Sequence, residues 1–160
     1  MSVEVLIHVA ADRMPSPQEW QAAIATGGFP VSIDTDFDVE KFSGFLPCTY
    51  KDLPAGFEYR YSLIEPHELR GLGVPENLPI QVALVTHSSF VELATSTIAA
   101  AILAHLTDGL LVDTEEGKQY DSNESLTWAK RIVAEVDQEL AKPVQPARLL
   151  QNQKPWWRFW

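Results

Sequence analysis

The sequence predicts a single α+β domain, a mixed or antiparallel sheet with about three helices packed on it. Three observations lead there. The 160 residues are one domain's worth of chain, with 46% hydrophobic residues to fill a core. Segments with strand character follow one another through the middle in the order β-α-β-β-β-β-α-β-β-α, without the strict alternation of a parallel sheet. The three helical segments each begin at a recognisable cap.

Residues 3–10 (VEVLIHVA) are short, apolar and rich in β-branched side chains, as a buried strand requires. Ser16-Pro17-Gln18-Glu19 then places Ser at an N-cap, Pro at the first helical position and Glu at the third. Trp20, Ala23 and Ile24 share one face of that helix, and Gly27-Gly28 ends it. Residues 29–39 are expected to form a strand. Residues 45–50 and 57–63 should form two more, with Pro54-Ala55-Gly56 as the turn between them. Residues 65–76, which hold two prolines and two glycines, read as a loop with one short helical turn. The strand expected at 79–86 leads into a helix opened by a second capping box, Ser89 with Glu92, and apolar on most faces and therefore buried. Residues 110–113 and 118–120 should form a hairpin around Thr114-Glu115-Glu116-Gly117. The last helix starts at Asp121 or Ser122, repeats Leu126, Ala129, Val133, Val136 and Leu140 on one face, and stops at Lys142-Pro143. The domain is expected to span residues 1–144, followed by a Trp-rich tail at 145–160.

Charge narrows the partners. The chain carries 22 Asp+Glu against 12 Lys+Arg, a net charge of −10 and a pI near 4.7. This disfavours binding to a phosphate backbone, which depends on Lys and Arg displacing counterions, and favours a basic partner. The single cysteine, Cys48, forms no internal disulfide, and the first residues lack the basic stretch of a secretory signal. No uncharged run reaches the roughly 20 residues a membrane span needs. A cytoplasmic protein bound to neither nucleic acid nor membrane is the expectation.

The most distinctive local pattern is Asp34-Thr35-Asp36-Phe37-Asp38-Val39-Glu40. In a strand, Asp34, Asp36, Asp38 and Glu40 would line one face and Ile33, Thr35, Phe37 and Val39 the other. Such a face is either a solvated sheet edge, an acidic ridge that docks on a basic surface, or the start of a calcium loop. The last departs from the EF-hand pattern, with Val39 at the sixth position and Phe45 at the twelfth. Asp113, Glu115 and Glu116, with Asp108, form a second acidic group, readable as a charged hairpin tip, a partner contact or an acid pair. His87-Ser88 lies where a strand passes into a helix and is the candidate site if the chain is an enzyme or a small-ligand protein, with Asp113 as its acid or base. No GxSxG, HExxH, GxGxxG or P-loop accompanies it, so no cofactor or metal is expected. Trp156, Trp157 and Trp160 in the tail should either pack back on the domain or meet a partner or a second copy.

The stretch from Ala99 to Leu140 resembles small bacterial immunity proteins that accompany type VI secretion effectors. It carries the Ala-rich helix, Leu106-Thr107-Asp108-Gly109-Leu110-Leu111-Val112-Asp113, the charged turn 114–117 and Ser125-Leu126-Thr127-Trp128-Ala129. The resemblance spans about a quarter of the chain. It implies a small, acidic, non-enzymatic cytoplasmic protein that neutralises a cognate toxin, such as a nuclease, by covering its active site or blocking its assembly. No functional residue carries over, because such proteins bind through surfaces that differ from pair to pair.

Overall fold

The computed structural model describes residues 2–87 and 89–143. Among these the elements are β1 (Ser2–Val9), α1 (Pro17–Thr26), β2 (Val31–Ile33), β3 (Gly44–Tyr50), β4 (Leu53–Leu63), α2 (Pro66–Leu72), β5 (Ile80–His87), α3 (Phe90–Thr107), β6 (Leu110–Asp113), β7 (Lys118–Tyr120) and α4 (Ser122–Leu140). The seven strands form one wholly antiparallel sheet in the order β2-β3-β4-β5-β1-β6-β7. The fold is the expected α+β class, with a fourth helix where the sequence suggested one turn.

The register sorts side chains cleanly. Val5 lies opposite Leu84 and Asp113, Ile7 opposite Val82 and Leu111, and Tyr59 opposite Leu84. All of these are buried and face the helices. Glu4, Leu6, Val85, His87, Glu58 and Arg60 fall on the other face by the period of two. On the helix side α3 is the core element, its residues from Leu93 to Ala104 all buried. It has the length and mean hydropathy (1.5) of a membrane span, and 72% of it is buried inside this fold. Trp20 of α1 anchors to it through an indole N–H donated to the Ala99 carbonyl at 3.0 Å. From α4, Ser125 packs against α3 by donating to the Ala101 carbonyl at 3.3 Å.

The caps of α1 and α4 behave as read. Ser16 and Glu19 form a reciprocal capping box, as do Asp121 and Glu124, which settles Asp121 as the start of α4. At α3 only half of the expected box forms: Ser89 accepts from the Glu92 N–H at 3.3 Å, while its own N–H is given to the His87 carbonyl.

Two expectations need correction. The strand expected over 29–39 stops at Ile33. Beyond it Asp34 and Asp38 turn their carboxylates onto nearby backbone N–H groups and compete with the ladder. The edge strand β2 is covered instead by α1: Gln21 accepts from the Ile33 N–H at 2.6 Å and donates to the Val31 carbonyl at 3.3 Å. The turn expected at Pro54-Ala55-Gly56 lies earlier, at Lys51-Asp52, both with positive φ of 50° and 65°. Pro54 sits inside β4, opposite Thr49. It is tolerated because β5 pairs with β4 only from Glu58 onward, so its missing N–H falls on a free edge. Gly56 has φ +152° and packs so closely that a Cβ there would stand 2.5 Å from the Leu46 carbonyl oxygen.

Candidate functional site

The acidic segment is a folded loop between β2 and β3, built on an aromatic base. Asp34 accepts from the Asp36 N–H at 2.9 Å, and Asp38 from the Glu40 N–H at 2.9 Å and the Lys41 N–H at 3.2 Å. These short side-chain-to-backbone bonds fix two successive turns. Beneath them Phe37, Phe42 and Tyr59 pack ring to ring, with centroids 5.4 to 6.1 Å apart. The Tyr59 hydroxyl donates to the Val39 carbonyl at 2.6 Å. From α1, Gln18 donates to the Thr35 carbonyl at 3.4 Å.

The exposure alternates as the strand reading expected, although the backbone is not a strand. Asp34, Asp36, Asp38 and Glu40 are exposed, while Ile33 is buried and Thr35, Phe37 and Val39 are half-buried. No ion pair among the described residues involves the four carboxylates. Their field reaches the phenols below. The Tyr59 hydroxyl is held above its ordinary pKa by burial first, then by Tyr61, Asp38 and Glu40. Tyr61 is raised by burial and by Glu40.

The second acidic group has a different character. Asp113 is 4% exposed and points to the helix side of the sheet, where Oδ2 accepts the Trp128 indole N–H at 3.1 Å. Its Oδ1 accepts from the Glu115 and Glu116 N–H groups at 2.9 and 3.3 Å. Asp113 therefore ties the β6–β7 turn to α4. Glu116 is neutralised by Arg131 at 3.2 Å and Lys118 at 3.6 Å. Glu115 is half-buried, its carboxyl pushed above the ordinary value by burial, then by Asp113 and Glu4.

His87 ends β5 on the open face, its side chain 63% exposed and 3.7 Å from Glu58. Asp113 belongs to the opposite face, so the sheet separates the two groups an enzyme site there would need. Ser88 and the tail residues Trp156, Trp157 and Trp160 lie outside the described residues. Among those described, no three His, Cys, Asp or Glu side chains gather as a metal-ligand set, and the Asp34 and Asp38 carboxylates are turned to backbone.

A feature the sequence does not announce is an apolar groove of about 570 Å³ on the outer side of the helix layer. Ala22, Ala23 and Phe29 form one wall, Leu126 the other, and Ile102 and Leu106 the floor; Glu19 and Lys130 stand at its rims. Helical spacing marks Ala23, Ile102, Leu106 and Leu126 but not the gap between α1 and α4 that leaves them uncovered. The aromatic base under the acidic loop was missed likewise, because Tyr59 joins Phe37 and Phe42 only through the sheet. The class these features define is a single-sheet α+β protein with an ordered acidic loop. Comparison of the chain with protein-family models, curated proteins and solved structures finds no match.

Proposed function

We propose that this chain is an immunity protein: a non-enzymatic cytoplasmic inhibitor that binds a cognate antibacterial toxin and neutralises it by covering its active site or blocking its assembly. The reading rests on one observation above all. Asp34, Asp36, Asp38 and Glu40 stand exposed and unpaired on a loop whose backbone is fixed from within. Four like charges held together repel one another, a cost of ordering met before any partner arrives. A basic protein such as a nuclease regains that energy on contact, and the field of the row steers its approach. The net charge of −10 and the resemblance of residues 99–140 to type VI immunity proteins support the same reading.

Co-purification with the product of the adjacent gene tests it. A stable complex, and cells that die of that product only when this protein is absent, support the proposal. No complex, together with cells indifferent to its loss, refutes it.

A further inference from the structure

We propose that the helix-layer groove is the docking site of the chain's own C-terminal aromatic segment, residues 156–160, bound within the same molecule. The groove is open and apolar, and Leu106 on its floor is left 41% exposed. Its volume of about 570 Å³ lies in the range of sites that enclose a ligand. The chain beyond Pro143 carries aromatic surface in need of such a place: Trp156-Trp157-Arg158-Phe159-Trp160 holds four large rings in five residues.

Reach permits it. The groove's α4 wall, at Leu126, lies roughly 25 Å back along the helix from Pro143 at 1.5 Å per residue. The 13 residues from Pro143 to Trp156 span up to about 43 Å when extended. Charge favours it as well. The segment after Pro143 holds three of the 12 basic residues, Arg148, Lys154 and Arg158, and none of the 22 acidic ones, which leaves nine against 22, a net of −13, on the rest of the chain. A basic aromatic segment is thus tethered to an acidic body. At the rims, Glu19 suits the guanidinium of Arg158, and the Lys130 ammonium suits the face of an indole. The alternative occupant, a second copy's segment, has no advantage to set against the high effective concentration of a tethered one.

The test uses the full chain labelled with fluorotryptophan, with a nitroxide attached through Thr26→Cys at the end of the groove. Cys48 is buried and stays unlabelled. Single W156F, W157F and W160F replacements assign the tail resonances, and Trp20, six residues from the label on α1, reports that the nitroxide is active. The proposal expects the tail resonances to be lost in the labelled chain. It expects them to stay sharp when nitroxide-bearing chains without fluorine are mixed with fluorinated chains without nitroxide. Sharp tail resonances in the labelled chain overturn it. So does loss in the mixed sample, which would place a second copy's tail in the groove. Leu106→Glu, at an already exposed floor position, is expected to restore the tail resonances in the labelled chain, with Trp20 and Trp128 at their native shifts once the nitroxide is reduced; continued loss of the tail signals in that variant before reduction also overturns the proposal.

Discussion

Replacing Asp113 separates a structural carboxylate from a docking one. Asp113→Ala removes an acceptor shared by the Glu115 and Glu116 N–H groups and the Trp128 indole. The two turn N–H groups belong to half-buried residues, so water replaces part of what they lose, at about 0.5 kcal/mol each. Trp128 is 5% exposed, and its N–H is left without a partner next to a void, which costs about 2 kcal/mol. The total is about 3 kcal/mol, or a fall in Tm of about 6–12 °C for a chain of this size. Urea unfolding followed by near-ultraviolet circular dichroism reads it directly through the Trp128 environment. Asp113→Asn, which keeps an acceptor, should recover roughly half the loss. A loss below about 1 kcal/mol in the alanine variant would refute the reasoning, because three bonds to a buried carboxylate cannot then be holding the turn.

Other outcomes follow from single positions. Gly56→Ala should destabilise by about 3 kcal/mol or more, since its Cβ meets the Leu46 carbonyl at 2.5 Å on a backbone with φ +152°. Gly71→Ala, in α2 with open space around it, should stabilise by about 0.5–1 kcal/mol; urea midpoints measure both. Burial holds the Cys48 thiol up to about 12, with Asp34 adding to the rise, so a thiol reagent should label it only after unfolding. Because the unfolded thiol ionises first, its contribution to stability is full below pH 9 and declines as pH climbs toward 12. Tyr50 and Tyr59, whose phenols burial also raises, add to that alkaline loss above pH 10. His8 works in the other direction: burial lowers its pKa below 6.5, so stability is full above that pH and falls below it as the unfolded chain takes up a proton. Unfolding midpoints at pH 7.5 and 5.5 should converge in His8→Leu relative to the native chain, and an unchanged gap would refute the assignment.

What the sequence revealed follows the range of each interaction. Ser16 with Glu19 and Asp121 with Glu124 lie three residues apart, so their caps were legible. The same holds for the apolar, β-branched run of β1. In α4 the face that packs is Ser125, Trp128, Ala129, Ile132 and Val136, so only Ala129 and Val136 of the expected stripe are buried and Leu140 is left exposed. The helix α2 hid behind Pro66 and Gly71, yet Pro66 sits at the helix start, where its missing N–H costs nothing, and Gly73 closes the end at φ 71°. The segment 34–40 was right in exposure and wrong in backbone. A period of two fits a strand or two linked Asx turns, and only the bonds from Asp34 and Asp38 distinguish them. Asp113 looked like its exposed neighbours because nothing local reveals Trp128, 15 residues on, as its partner. His87 and Asp113 looked compatible for the same reason: the sheet register alone puts them on opposite faces.

The central claim is that the carboxylate row is a preformed contact for a basic toxin. The most direct test compares association kinetics of the full native chain and its D34N/D36N/D38N/E40Q variant with the protein encoded beside it, at low and physiological salt. The account predicts an intact fold, association slowed by about tenfold or more at low salt, and a native rate that falls steeply as salt is added while the variant's does not. Equal rates and affinities for the two chains at both salt concentrations would contradict it.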